Sequence, residues 1–262
     1  MNILETIVDH KRDEIASRKR DVSASGLRDM EFYRRSTHSL KKSLDRQPKF
    51  GIIAEIKRSS PSGGEMKSEF RPVDIAAQYE RNGAAGISVL TDGRFFNGNI
   101  NDLREVRRTA GIPLLRKEFI IDEFQITEAK AYGADAVLLI AGILDKSQLL
   151  DYIIMAKELS LESLVELYDE SEVKKIDFDV VDLLGINNRN LRTLEIDLNR
   201  TFQMAKHIPN GITIVSESGI RSAEDLKRLS GNGIKAALIG EQFMKSGNPG
   251  DELCKMLEGI EQ

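Results

Sequence analysis

The stretch Gly51-Ile-Ile-Ala-Glu-Ile-Lys57 has the apolar character of a buried strand, yet it carries Glu55 and Lys57 two residues apart. Side chains alternate across a strand, so this spacing puts a carboxylate and an ammonium on one face. Other apolar runs end in the same way. Lys117 closes LLRK, Glu166 stands near the end of SLVEL, Asn187 and Asn188 end LLGINN, and Glu217 with Ser218 ends ITIVSES. Ammonium groups beside carboxylates supply a proton donor, a proton acceptor and a partner for an anion, which is the equipment of general acid–base chemistry. A salt bridge or a helix cap explains any one of these charges. It does not explain a series of strands ending in them, because burying unpaired ions costs on the order of several kcal/mol and is retained where chemistry needs shifted pKa values.

A second chemical feature lies in the glycines. Glu217-Ser218-Gly219-Ile220-Arg221-Ser222 and Ile239-Gly240-Glu241 each close an apolar run and open a polar segment. Backbone N–H groups in such loops, together with a helix N-terminus, bind phosphate. Tight turns are the plainer reading of the same glycines. Ser60-Pro61-Ser62-Gly63 after the first run offers more hydroxyl and N–H donors, and by itself is a turn signal. His10, His38 and His207 stand near no Cys and in no HExxH pattern, so no transition-metal site is expected.

Positioning these groups requires a repeated scaffold. From residue 51 onward, eight apolar runs (51–57, 86–90, 113–117, 136–141, 163–167, 183–187, 212–218 and 236–241) alternate with polar segments of helical periodicity. DIAAQYERNGA, DEFQITEAKAYGA and SAEDLKRLSG each carry a glycine near the end, as helix C-termini prefer. Alternating strands and helices imply βαβ units and a parallel sheet. Eight units match the α/β class of the (βα)8 TIM barrel, whose active sites lie at the C-terminal ends of the strands. A doubly wound sheet is the alternative; it usually has five or six units and a Gly-rich first turn, and no GxGxxG follows the first run. Residues 2–20 and 39–45 read as helices that precede the barrel. The expected organisation is a single domain over 1–262, with a helical extension over 1–48 and the barrel over 49–262.

Composition narrows the partners. With 40% apolar and 31% charged residues the chain is globular in character, and its net charge of -4 argues against nucleic acid or an anionic membrane as the main partner. The single Cys254 excludes an internal disulfide framework and points to a reducing, cytoplasmic setting. MNILETIVDHKRDE lacks the apolar core of a signal peptide, and no run approaches membrane-spanning length. The run KRDEIASRKR interleaves acids with bases and reads as a solvated helix face.

Seven motifs in order along the chain resemble indole-3-glycerol phosphate synthase. They are Glu55-Ile56-Lys57 with Ser60-Pro61-Ser62, SVLTDGRFFNG (88–98), LLRKEFIIDEFQITEAKAYGADAVLLIA (114–141), LVELYDESE (164–172), GINNRNL (185–191), VSESGI (215–220) and LIGEQFM (238–244). The resemblance implies conversion of 1-(2-carboxyphenylamino)-1-deoxyribulose 5-phosphate to indole-3-glycerol phosphate, CO2 and water in tryptophan biosynthesis, without metal or cofactor. It implies Lys117 as general acid at the carbonyl oxygen, and Lys57 as partner of the substrate carboxylate with Glu55 orienting it. Glu166 is implied in acid or base work at the dehydration. Asn187, Glu217 and Ser218 match positions that hold substrate hydroxyls and the lysines. Ser60, Gly219, Gly240 and Glu241 match phosphate-loop positions, with the Glu241 N–H binding and its side chain pointing away. Phe96, Phe119, Leu138 and Leu194 are expected around the anthranilate ring, with Arg189 as a further substrate contact; for the two leucines core packing is an equal alternative.

The sequence departs from the family pattern where Gly63 replaces a usual Lys, and where Asp92 and Gly93 alter the common TEPKYF run. Both changes fall in active-site loops and bear on turnover. Rival readings are an aldolase-type barrel with Lys117 as a Schiff-base nucleophile, a phosphoribosylanthranilate isomerase, and a phosphate-binding scaffold. The expected partner is a small phosphorylated molecule, and the expected state is a monomer.

Overall fold

The computed structural model describes residues 3–60, 64–65, 70–190 and 193–260. Eight parallel strands form a closed barrel: β1 (Gly51–Ile56), β2 (Gly86–Leu90), β3 (Leu114–Lys117), β4 (Ala136–Ile140), β5 (Glu162–Leu167), β6 (Leu183–Asn187), β7 (Thr213–Glu217) and β8 (Ala236–Ile239). Each strand pairs with its sequence neighbours, and β1 pairs with both β2 and β8, so no edge is left open. Both faces of each strand are covered, which is why the runs are apolar throughout and do not alternate. Ile53, Leu115, Leu138, Leu164, Leu183, Val215 and Leu238 fill the lumen. Ile52, Ala54, Ile56 and their counterparts pack outward against the helices.

The helices start and stop where their sequences direct. The N-terminal extension folds into α1 (Ile3–Asp21), α2 (Ala24–Arg28) and α3 (Leu40–Asp45), and the barrel adds α4 (Pro72–Arg81), α5 (Gly93–Phe96), α6 (Ile100–Arg107), α7 (Glu123–Ala131), α8 (Lys146–Glu158), α9 (Asn199–Ala205), α10 (Ala223–Gly231), α11 (Glu241–Met244) and α12 (Pro249–Gly259). Asp122, Asp145 and Ser222 cap α7, α8 and α10 through side-chain acceptors. Two of the expected terminal glycines, Gly83 and Gly133, follow the C-caps with φ of 89° and 91°, where a side chain would be strained; at α10 the expected Gly231 is the last helical residue, and Gly233, with φ of 81°, takes the left-handed position instead.

Two readings of the chain need correction. The segment between β5 and β6 forms only a 3-10 helix (Glu170–Lys175), where periodicity suggested an α-helix. Its many aspartates and β-branched residues are poor formers of a helix interior. The run KRDEIASRKR is more than a solvated face: Lys11 is fully buried, and Arg18 pairs with Glu128 at 2.6 Å. Among the described residues, no helix is long and apolar enough to cross a membrane.

The extension covers both ends of the barrel. At the base, Leu40 and Leu44 of α3 enter the lumen over Gly51 and Gly86. A Cβ at Gly86 would stand 2.6 Å from Leu40 Cδ1, and one at Gly51 would stand 2.8 Å from Leu44 Cδ2. At the mouth, α1 contributes Ile7 to the same lumen cluster.

Candidate active site

Strand register decides which side chains meet. Glu55, Lys117, Glu166 and Glu217 each lie two residues beyond a lumen-filling residue (Ile53, Leu115, Leu164 and Val215), so alternation points all four inward at the mouth. Asn187 pairs in register with Glu217 and shares its face. Asn188 therefore points outward. There its amide donates to Ser216 Oγ at 3.0 Å and accepts from Thr201 Oγ1 at 2.9 Å, a buried structural tie between β6, β7 and α9.

The charged groups form two connected units. Lys117 Nζ donates to Glu217 Oε2 at 2.5 Å and to Glu166 Oε2 at 3.3 Å, and Glu166 Oε1 accepts from Asn187 Nδ2 at 3.3 Å. Lys57 Nζ pairs with Glu55 Oε1 at 2.9 Å. Burial works against the Lys117 ammonium, but Glu217, Glu166 and Glu55 outweigh it and hold its pKa above the usual lysine range. For Glu55, Lys57 and Lys117 overcome burial and lower the pKa. Burial, reinforced by Glu166 and opposed by Lys117, pushes Glu217 up to about 8. Two carboxyls thus share one ammonium.

Glycine makes room for this array. A Cβ at Gly185 would collide with Glu217 Oε1, and one at Gly240 would lie 2.5 Å from Glu55 Oε1.

The groups face a cavity of about 470 Å³. On the β2–β4 side the lining is apolar: Phe96 and Phe119 lie with centroids 6.0 Å apart, and Leu138 of β4 and Ile3, Leu4 and Ile7 of α1 also line the cavity. On the β6–β8 side the lining residues are Arg189, Leu194, Ser218, Gly219, Gly240, Glu241 and Lys245. Ser218 and Gly219 are consecutive left-handed residues with φ of 68° and 81°, a turn that is costly for serine and characteristic of functional loops. Leu138 is both core and lining, being 1% exposed in the lumen, whereas Leu194 is 46% exposed at the rim. Ser60 pairs with Gly64 in a two-stranded hairpin; its side chain, and Pro61, Ser62 and Gly63, lie outside the described residues. Every other sequence-predicted site residue lines the cavity. Among the described residues, no group of His, Cys, Asp or Glu side chains is arranged to hold a metal ion.

Comparison with known proteins now bears on this constellation. Residues 4–256 match the family model described as indole-3-glycerol phosphate synthase. The chain belongs to this family. It is 46% identical over 255 residues to the indole-3-glycerol phosphate synthase of Desulfotalea psychrophila, covering 97% of this chain and 98% of that protein. It is 42% identical over 258 residues to the synthase of Salinibacter ruber, covering 98% and 95% of the two chains. Among solved structures, 3-hexulose-6-phosphate synthase from Salmonella typhimurium superposes with a TM-score of 0.64 at 15% identity, covering 81% of this chain and 99% of that one, a likeness of fold alone.

Against the family pattern, Asp92 keeps a carboxylate one methylene shorter than the usual Glu. It caps α5 by accepting from Phe95 N at 2.8 Å, and Gly93 opens that helix. Glu241 lines the cavity, and its carboxylate is held by two cations. Lys245 at 2.6 Å and Arg189 at 3.3 Å neutralise it there. Sequence reasoning missed Lys245, although its spacing from Glu241 is that of a helical ion pair. It also missed Ile3, Leu4, Ile7 and Ile196, whose apolar periodicity says only that they are buried and not against what.

Proposed function

We propose that this synthase closes the indole ring with the two lysine–carboxylate units acting in sequence. The enzyme acts on a small phosphorylated substrate, 1-(2-carboxyphenylamino)-1-deoxyribulose 5-phosphate. The ring carbon bearing the carboxylate attacks the ketone carbon, and the carbonyl oxygen takes a proton as charge develops on it. Lys117, held charged by its carboxylates and aimed into the cavity, is the donor. Lys57 binds the substrate carboxylate until the bond to the ring breaks and CO2 leaves, its electron pair restoring the aromatic ring; Glu55 fixes Lys57 for this task. The remaining hydroxyl then leaves as water with a proton from an acid, while a base removes the neighbouring ring proton. Glu166 serves in that step, and Asn187 and Glu217 hold Glu166 and Lys117 in place.

Shape supports the assignment of the two sides. Phe96, Phe119, Leu138 and Leu194 receive the carboxyphenyl ring. The N–H groups of Gly219, Gly240 and Glu241, with Ser60 and Ser218, receive the phosphate, and Arg189 completes the contact. The chain is read as one domain working as a monomer in the cytoplasm.

The observation that carries this reading is Lys117 Nζ seated between Glu217 and Glu166 in a cavity whose two sides differ in chemistry. Its test is the appearance of indole fluorescence when the substrate meets the purified chain, which has no Trp of its own. Lys117→Met and Glu166→Gln each lower kcat by about 10²–10⁴. Wild-type rates in either variant would end the assignment.

A further inference from the structure

We propose that Lys11 is a positioning residue for the aromatic half of the site: its ammonium ties α1 to the two loops that carry Phe96 and Phe119. The inference rests on the reading of those rings as the substrate's apolar wall. Lys11 is fully buried, and its Nζ meets Glu14 at 2.9 Å, Asp92 at 2.8 Å and Glu118 at 3.0 Å. Those carboxylates come from α1, from the loop after β2 and from the residue that follows Lys117.

Each partner outside α1 also supports a segment that carries a ring. Asp92 accepts from Phe95 N and so sets the start of α5, the short helix that presents Phe96. Glu118 accepts from Phe119 N at 2.9 Å and from Thr91 Oγ1 at 2.7 Å. One ammonium is therefore a single contact away from the supports of both rings, which themselves touch across the wall. One turn earlier on the same helix face, Ile7 lines the cavity, and the adjoining His10 meets Phe95 edge to face at 5.9 Å.

A stability role alone accounts poorly for this arrangement, since buried ion pairs are often replaceable by apolar residues without loss. What an ion cluster does supply is one fixed geometry among three chain segments. Glu118 and Asp92 also outweigh burial at Lys11 and hold its pKa above the ordinary lysine value, so the tie persists across the working pH range.

The test separates ring from phosphate. Steady-state kinetics are measured for Lys11→Met, for the neutralised set Lys11→Met with Asp92→Asn and Glu118→Gln, and for Lys11→Arg, with ribulose 5-phosphate as a ring-free competitive inhibitor. Loss of uniform ring binding raises KM in the first two about tenfold and changes the inhibition constant of ribulose 5-phosphate less than about twofold; Lys11→Arg restores KM to within about threefold. Folded variants with KM unchanged, or with both constants rising together, would overturn the proposal. Should the methionine variants fail to fold, amide hydrogen exchange on the wild type decides: indole-3-glycerol phosphate protects the amides of Ile7 to Lys11, and ribulose 5-phosphate does not. Equal protection by both ligands refutes it. A wild-type chain that forms no indole product removes the underlying functional reading, and does so independently of any change at Lys11.

Discussion

The two ends of the barrel are built with the same device and filled with opposite contents. At the base, Gly51 and Gly86 leave space that Leu44 and Leu40 occupy; at the mouth, Gly185 and Gly240 leave space that Glu217 and Glu55 occupy. Omitting a Cβ from a barrel strand costs backbone entropy in either case. At the base the return is close packing against α3. At the mouth it is a carboxylate held in a desolvated position, where its pKa moves. One scaffold position can therefore serve stability or chemistry, and what decides is whether the neighbouring side chain ends in a methyl or an acid.

Substitution at the two ends should separate these roles. Gly185→Ala presses its methyl on the carboxylate end of Glu217, and a displacement of about 1 Å at this partner of Lys117 lowers kcat/KM about 100-fold, with a melting temperature close to wild type. Unchanged kinetics would show that the Glu217 position is immaterial. Gly51→Ala presses on Leu44, including its backbone. Overpacking there costs about 1–3 kcal/mol in denaturant unfolding, while kcat and KM stay as they were. A kinetic defect in that variant would mean that the two ends are coupled.

The smallest effect concerns pH. The folded pKa of Glu217, about 8, lies above its ordinary 4.5, so between those values the folded chain keeps a proton that the unfolded chain has lost. The contribution of this group to stability is thus present at low pH and declines as pH rises from about 5 to about 8. Glu217→Gln cannot ionise, so its melting temperature should fall less over that interval than that of the wild type. Parallel curves would place the titration elsewhere.

Much of the site was legible because a closed parallel barrel turns a local fact, the end of a strand, into a global one, the mouth. Glu55, Lys117, Glu166 and Glu217 needed only their positions at the ends of apolar runs. Asn187 and Asn188 could not be told apart that way, since adjacent residues exchange faces and only pairing with Glu217 settles which one turns inward. Lys11 looked like part of a charged surface because its partners, Asp92 and Glu118, are far away in sequence. The connection after β5 was misread as α-helical because polarity and approximate periodicity do not report how short a turn the barrel needs there. The protonation of Glu217 depends on burial by residues from several strands, which no single window of sequence contains.

The placement of α3 has a consequence for the order in which the molecule is made. A closed barrel cannot close until its last strand exists, so a growing chain carries β1 with one partner missing and an apolar lumen partly open, the condition that invites misassembly. Leu40 and Leu44 emerge before any strand and settle over Gly51 of β1 and Gly86 of β2, the first two strands made. The helix that seals the base of the finished enzyme is thus at hand, as the strands leave the ribosome, to shelter the unfinished barrel.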